Sequence, residues 1–399
     1  MGLSRALLMR TEQKIKILGA SARYDVCASC WVDPIPRPDA PAPRSVRPES
    51  FITRAVVPGK SRCVRLFKVL QTNSCRHNCL YCVNRRDLDR PRTSFRPDEL
   101  ADLFMSLVHA RKVDGLFLSS GILDSPQAAQ ASMIETARLL RLRHRYRGYL
   151  HLKILPGADP AQISQVLRLA DRTSVNLEAP TRDRLRRIAP DKNLTDDIVK
   201  PLVDIHRLSQ GRDLLPAGIT TQFVVGPARE SDHEILAATS WLYHNVSLRR
   251  AYYSAFSPVP GTPLESVQAT PELREHRLYQ ADWLLRFYGF DLAELPFDSV
   301  GALPEKLDPK HAWALAHLDS FPLEVNSAPK EMLLRTPGVG PVSAQRILAA
   351  RKTHRFSRLA ELSKLGVATS RARDFLTLAG RFFPTPPAPS LRQLDLFSP

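Results

Sequence analysis

The sequence predicts an α/β protein: a partial (β/α)6 barrel over residues 62–300, followed by an all-α module over 301–383. Three observations carry this reading. Between Arg65 and Phe256, six short apolar runs alternate with longer stretches of helical spacing, and parallel strands need crossover helices, so this alternation is that of a parallel sheet. Three cysteines, Cys75, Cys79 and Cys82, lie in one loop directly after the first run. After Phe290 the alternation stops, and a proline-containing connector leads to a helical segment from about Phe321 to Phe383.

The elements follow in order. Residues 1–61 form an N-terminal segment with a helical pattern over Gln13 to Ala22, a Cys27-x-x-Cys30 pair, and prolines at 34, 36, 38, 41, 43 and 48. That density of proline forbids a regular helix and reads as a semi-rigid linker. The predicted strands are Arg65 to Gln71, Gly115 to Ser119, Tyr149 to Leu155, Thr173 to Leu177, Thr220 to Val225 and Ala251 to Phe256. Helical spacing occupies Pro97 to Lys112, Ser125 to Tyr146, Pro160 to Ala170 and Ser231 to Asn245. Residues 384–399 read as a flexible, proline-rich tail.

With 57 Lys plus Arg against 40 Asp plus Glu, the chain carries a formal charge of +17, which favours a polyanionic partner. No apolar run approaches the about 18 residues that cross a bilayer, and the N-terminus has no signal-like core. A cytoplasmic location without membrane association is expected. All six cysteines fall in the first quarter of the chain, a clustering that points to metal chemistry in a reducing compartment rather than to disulfides.

Cubane iron-sulfur clusters normally take four cysteines. Three in one loop leave one iron without a protein ligand, and that iron is a place for chemistry. The alternatives are a zinc loop or unconnected core cysteines; zinc sites close with a fourth Cys or His, and His77 lies too near its neighbours to complete an obvious tetrahedron. The x3 and x2 spacing, with Tyr81 before the last cysteine, resembles the signature of the radical S-adenosylmethionine superfamily. The resemblance implies a [4Fe–4S] cluster on Cys75, Cys79 and Cys82, chelation of S-adenosylmethionine by the open iron, and reductive cleavage to a 5′-deoxyadenosyl radical. A flavodoxin- or ferredoxin-type reductant would supply the electron.

The same resemblance implies cofactor contacts at the other strand ends. Ser119, Ser120 and Gly121 stand where the superfamily has a glycine-rich turn, here without its usual acidic residue. Asn176 and Glu178 at the fourth strand and Tyr253 and Ser254 on the sixth are candidate cofactor or substrate contacts, and Gln222 to Gly226 with Glu230 occupies the fifth-strand motif. Each also has a plain structural explanation as a turn or a cap. Lys153 is a candidate catalytic residue if its side chain points into the barrel, since a buried lysine wants an anion or a proton-transfer role. Cys27, Cys30 and Cys63 are one ligand short of a second metal site.

In the C-terminal module, Arg335-Thr-Pro-Gly-Val-Gly340 precedes Pro341 to Leu348. Gly338 and Gly340 permit positive φ, and a helix that starts there aims its N-H groups and dipole at a phosphate. The segment resembles a helix-hairpin-helix module, with Leu362 to Ala372 as a degenerate second copy. Such modules bind the DNA backbone, and Arg335, Arg346, Arg351 and Lys352 suit phosphates. A protein-contact surface is the alternative. Gln393-Leu394-Asp395-Leu396-Phe397 resembles the peptide that docks bacterial proteins on the DNA polymerase sliding clamp, with Leu396 and Phe397 filling an apolar pocket.

Stretches at Lys14 to Leu18, Ala22 to Asp25, Cys82 to Arg86, Gly115 to Gly121, Tyr252 to Pro258 and Arg274 to Trp283 resemble the DNA modification or repair radical S-adenosylmethionine proteins linked to a uracil-DNA-glycosylase-like partner. The expected activity is hydrogen abstraction from a nucleotide in DNA. The rivals are a non-catalytic iron-sulfur adaptor or redox sensor that recruits the glycosylase-like partner, and an enzyme of the same chemistry acting on RNA.

Overall fold

The computed structural model describes residues 2–22, 52–55 and 64–384. Cys27, Cys30, Cys63, the proline run at 34–48 and the terminal Gln393 to Phe397 lie outside the described residues. The chain divides into two compact units, Met1–Glu275 and His276–Pro399.

In the first unit a helix, α1 (Gly2–Ala22), packs along a seven-stranded sheet whose spatial order follows chain order. The strands are β1 (Ile52–Ala55), β2 (Val64–Leu70), β3 (Gly115–Ser119), β4 (Tyr149–Lys153), β5 (Arg172–Ser174), β6 (Ile219–Val225) and β7 (Arg250–Ala255). Strands β2 to β7 are parallel, as the alternation predicts. Strand β1 is an addition to that prediction: it pairs antiparallel with β2, with Ile52 opposite Phe67 and Ala55 opposite Val64. Four residues are too few to show a period, and it is pairing with β2 that makes them a strand.

The connecting helices are α2 (Pro97–His109), α3 (Pro126–Arg138), α4 (Pro160–Leu169), α5 (Arg182–Ile188), α6 (Lys200–Ser209) and α7 (Asp232–Val246); α8 (Glu272–Phe287) follows β7. Ser125, Asp159, Thr181 and Ser231 each accept a hydrogen bond from the backbone N-H three residues on. These caps satisfy donors that the first turn leaves orphaned. Pro126 and Pro160 add a preset φ at the first helical position.

Side chains alternate across a strand, so the register defines two faces. Phe117, His151 and Arg172 are successive partners in line with Lys68, while Thr220 and Gln222 pair with Arg250 and Tyr252. On this face Val64, Leu66, Phe117, Tyr149, Ala217 and Tyr252 form one buried apolar cluster. It joins β7 to β2, six positions apart in the sheet counting both, so the sheet curls and this face is its inside. The opposite face meets the helices: Tyr253, fully buried, reaches Thr239 of α7 with its hydroxyl at 3.3 Å.

The second unit contains α9 (Pro309–Ala316), β8 (Leu323–Glu324), α10 (Lys330–Arg335), α11 (Pro341–Ala350), α12 (Leu359–Lys364), α13 (Thr369–Ala372), β9 (Leu376–Leu378) and β10 (Arg381–Phe382). Two helical hairpins close round Val325, Leu333, Val339, Ile347, Leu362 and Leu376. The unit is not all-α: β8 pairs parallel with β9, and β9 antiparallel with β10. Strands of two or three residues carry no readable pattern. The unit as divided by its internal contacts starts at His276. Among the described residues no helix is long and apolar enough to cross a membrane.

Leu118 on β3 is completely buried. Leu118→Ala is expected to cost about 2–5 kcal/mol, seen in urea as a lower midpoint at unchanged slope.

Candidate active site

The cysteine loop begins where β2 ends. Gln71 N-H donates to the Ser119 carbonyl at 2.8 Å and continues the ladder by one bond. Beyond it the loop is tied to neighbouring elements at intervals: Gly121 N-H to the Thr72 carbonyl at 2.7 Å, Arg76 N-H to Ile122 at 2.6 Å, and Leu80 N-H to Ile188, at the end of α5, at 2.7 Å. A Cβ on Gly121 would stand 2.3 Å from the Ser74 carbonyl oxygen, so only glycine lets the β3 turn approach the loop this closely. Arg92 binds both limbs of the loop. Its guanidinium donates to the carbonyls of Asn73 (2.6 Å), Asn84 (3.0 Å), Arg85 (2.5 Å) and Leu88 (2.9 Å).

Cys75, Cys79 and Cys82 are free thiols, Cys79 buried and the others partly so. Burial pushes the Cys79 thiol up, and burial together with the adjacent Cys79 pushes Cys82 up to about 12. Asn84 N-H donates to Cys82 Sγ at 3.3 Å. Thiols held this way ionise when a metal takes the charge, because coordination deprotonates them outright. Among the described residues no three His, Cys, Asp or Glu side chains are grouped to hold one ion together; a cubane asks instead for one thiolate at each of three irons. The donor set fits such a cluster.

Beside the loop stands a buried pair that sequence reading caught only in part. Lys192 Nζ lies 3.0 Å from Glu178 Oε1, both side chains under a tenth exposed. Glu178 also takes a hydrogen bond from Tyr81, whose phenol burial raises well above its usual range. Burial opposes the charge on Lys192, yet Glu178 and the Cys79 sulfur outweigh it and raise its pKa. Glu178 has φ +66 and bridges to Phe223, a left-handed kink that turns its carboxylate out of strand register.

The other expected residues divide. Ser119 is buried at the end of β3, and Ser120 Oγ donates to the Gly121 carbonyl at 2.7 Å. Lys153 and Gln222 are buried on the inner face, Ser254 shares that face, and Asn176, beyond β5, is partly buried. Gly226 has φ +108 and its N-H donates to the Glu230 carboxylate. Tyr253 does not belong with them. It stacks on Phe223 at 5.9 Å in the helix-facing layer, and its neighbour Tyr252 holds the inner position; two adjacent strand residues cannot share a face. His151 and Arg172, which the sequence reading does not single out, are buried on the same inner face. The signal was present, since His151 and Lys153 fall two apart on one strand.

In the C-terminal unit the hairpin turn between α10 and α11 (Thr336–Gly340) is closed by the Ala368 N-H, which donates to the Gly338 carbonyl at 2.9 Å. Gly338 has φ +80, and a Cβ there would stand 2.4 Å from the Ala368 oxygen. Gly340 is extended at φ −96, so only one of the two glycines uses positive φ. Arg346 and Lys352 are exposed. Arg335 and Arg351 are partly buried and already hold partners within the unit. Arg335 pairs with Glu294 at 2.6 Å and stacks over Phe290; Arg351 donates to the Val325 and Ala328 carbonyls at 3.2 and 2.6 Å. Beneath the turn, Lys310 Nζ donates to the Val339 carbonyl at 2.5 Å, and burial lowers its pKa to about 7.

Residues 69–242 match the model of the radical SAM superfamily. No curated protein matches the chain. Similar solved structures include methylornithine synthase, PylB, at 13% identity, TM-score 0.45, covering 54% of this chain and 60% of that one. The FeFe-hydrogenase maturase HydG from Carboxydothermus hydrogenoformans is 15% identical at TM-score 0.44, covering 54% and 49%. The radical S-adenosylmethionine methyltransferase TsrM from Kitasatospora setae, with cobalamin and a [4Fe–4S] cluster bound, is 15% identical at TM-score 0.39, covering 52% and 39%. The chain thus spans between about two fifths and three fifths of these structures. The match over residues 69–242 is to a superfamily that uses a [4Fe–4S] cluster and S-adenosylmethionine.

Two outcomes are expected. Arg92→Ala should lower iron bound per chain after anaerobic reconstitution at unchanged far-ultraviolet dichroism, because the loop loses the ties between its limbs. Lys310 is largely neutral in the fold above pH 7 and protonated unfolded up to about pH 10.4. The unfolded state therefore binds more protons over that window, and the contribution of this group to stability rises with pH. Lys310→Met should flatten the rise in urea midpoint between pH 7 and 10.

Proposed function

We propose that the chain is a radical S-adenosylmethionine enzyme that acts on DNA, in repair or modification. The observation that carries the DNA part of this reading is the hairpin of α10 and α11, with Gly338 in the left-handed region and Arg346 and Lys352 exposed, in a chain of formal charge +17. The first turn of α11 offers backbone N-H groups to a phosphate, and exposed cations add a sequence-independent attraction. The alternative of a protein-contact surface has no cation requirement.

When bound, the cluster and S-adenosylmethionine supply a radical that removes one hydrogen atom from the substrate. The residues of the chain prepare the place for that step. Arg92, Gly121 and the backbone ties keep three thiols at the rim of the sheet, and Asn84 N-H donates to one sulfur, a lever on cluster potential. The Glu178–Lys192 pair and Tyr81 place polar groups beside them. A nucleotide embedded in duplex must leave the stack to reach the mouth of the sheet. A flavodoxin- or ferredoxin-type reductant, a uracil-DNA-glycosylase-like protein and the sliding clamp, reached through Gln393 to Phe397, complete the proposed partners.

Reconstituted protein with dithionite and S-adenosylmethionine should release 5′-deoxyadenosine, and deuterium from labelled DNA should appear in it; an intact cluster with no 5′-deoxyadenosine would leave only the adaptor reading. The double variant Arg346→Ala, Lys352→Ala should weaken DNA binding across sequences and make the salt slope shallower by about 2. An unchanged slope, or a preference for structured RNA over DNA in competition, overturns the assignment of the hairpin to DNA.

A further inference from the structure

The turn that follows α5 grips the cysteine loop at its middle. Leu80 N-H donates to the Ile188 carbonyl at 2.7 Å, and Asn78 N-H donates to the Asp191 carboxylate at 2.7 Å. These two bonds flank Cys79, the buried thiol. Asn78 is held through its side chain as well: its amide donates to Asp87, and its amide oxygen accepts from Arg85 Nε at 2.8 Å. The next residue of the turn is Lys192, whose N-H donates to the Ala189 carbonyl at 3.1 Å. Its ammonium meets Glu178 at 3.0 Å, and Tyr81, the residue before Cys82, donates to that same carboxylate. The segment from Ile188 to Lys192 thus reaches the loop at positions 78 and 80 directly, and at 81 through Glu178.

Glu178 is fixed by more than its partner. Its N-H donates to the Gln222 carbonyl at 2.9 Å and its carbonyl accepts from Val224 N-H at 2.9 Å, which seats it on β6 with φ +66. A non-glycine residue keeps left-handed backbone only where its surroundings over-determine it. The side chains of Lys192 and Glu178 are 9% and 6% exposed. A buried ion pair is often no more stabilising than apolar residues of the same volume, and this one adds backbone strain, so stability does not explain it. Burial dominates the pKa of Cys79; after it come Lys192, which lowers it, then Glu178, Cys75 and Asp191, which raise it. Lys192 acts on Cys82 in the same sense. Both members of the pair therefore lie within electrostatic reach of the sulfurs, and unlike the exposed Asp191 they are poorly screened by water and salt.

We propose that Lys192 and Glu178 set the reduction potential of the cluster that Cys75, Cys79 and Cys82 fit, Lys192 raising it and Glu178 lowering it. This rests on the reading of the three thiols as cluster ligands. Reduction brings one electron from the flavodoxin- or ferredoxin-type donor and adds one negative charge to the cluster. A buried cation beside it stabilises the reduced form, and a buried carboxylate stabilises the oxidised form. As a pair the two charges oppose each other at the cluster, so loss of either one uncovers the other.

The test is a redox titration of the anaerobically reconstituted full chain without S-adenosylmethionine, followed by electron paramagnetic resonance of the reduced cluster, with iron and sulfide per chain as the control. A buffer at pH 9.5 keeps a Glu178 left without Lys192 ionised even at the pKa of about 8–9 that buried glutamates reach. Glu178→Gln should raise the midpoint and Lys192→Met should lower it, each by at least tenfold in the reduction equilibrium, which is 59 mV for one electron. Lys192→Arg keeps the charge and should stay within that margin of the parent, and the double variant Glu178→Gln, Lys192→Met should fall between the single variants. Loosening of the loop would move both single variants the same way, so opposite signs separate charge from structure. Where Lys192→Met assembles no cluster, Glu178→Gln and Lys192→Arg decide. Single variants that shift together, a Glu178→Gln midpoint at or below the parent's, or a Lys192→Met chain that binds S-adenosylmethionine more weakly at an unchanged midpoint would each overturn the proposal, the last by making Lys192 a contact of that cofactor instead. A midpoint that follows charge in a chain releasing no 5′-deoxyadenosine keeps the potential-setting pair and discards the radical enzyme. A midpoint indifferent to both substitutions, in a chain that does release it, does the reverse.

Discussion

A curled parallel sheet buries both faces of its strands, and the two-residue period of a strand then decides which chemistry each residue joins. In this chain one set of alternate residues faces the helices and the other faces inward, where one apolar cluster runs from Val64 and Leu66 on β2 to Tyr252 on β7. Apolar inward residues close the base, while Lys68, His151, Arg172 and Thr220 sit nearer the rim. The same period separates Tyr252, which faces inward, from Tyr253, which reaches Thr239 among the helices. Layering of this kind gives a polar interior without breaking the hydrogen-bonded ladder that supports it.

The cysteine loop depends on that ladder in turn. A segment with three thiols and little regular structure keeps its shape because its backbone groups are met from outside: by Ser119 at the end of β3, by Ile188 at the end of α5, and by the guanidinium of Arg92. Gly121 permits the closest of these approaches. The Glu178–Lys192 pair brings one charge of each sign beside the thiols, which is tolerable in a low-dielectric setting only because the two neutralise each other at 3.0 Å. In the C-terminal unit the same principle recurs on a smaller scale. The Gly338 turn is closed by Ala368 and underlain by Lys310, so the segment that resembles a phosphate-binding hairpin is braced on two sides.

Much of this was legible from residue order because it is local. Strand–helix alternation from Arg65 to Phe256, the spacing of Cys75, Cys79 and Cys82, and the Pro-Gly-Val-Gly turn each depend on neighbours a few residues away. Glycine positions could be read as turns, though not which of Gly338 and Gly340 would take positive φ, since that follows from how Ala368 packs. The short strands β1, β8, β9 and β10 were invisible because two to four residues carry no period and exist only by pairing. Arg335 and Arg351 look like phosphate ligands in the sequence, where a cation beside a glycine turn has no visible competitor. Glu294 and the carbonyls of Val325 and Ala328 are that competition, and they arrive from tens of residues away.

The sequence by itself determined the class of sheet, the loop that fits the cluster and the identity of the groups available for binding, because periodicity, spacing and chemistry are properties of the chain. Tertiary structure decided which of those groups meet. It set Lys192 against Glu178 and turned Tyr252 rather than Tyr253 inward. It brought His151, Arg172 and Thr220 from three strands onto one buried face. Distance in space, register and burial arise only when strands pair and curl, and these are the quantities that turn a polar residue into part of a site.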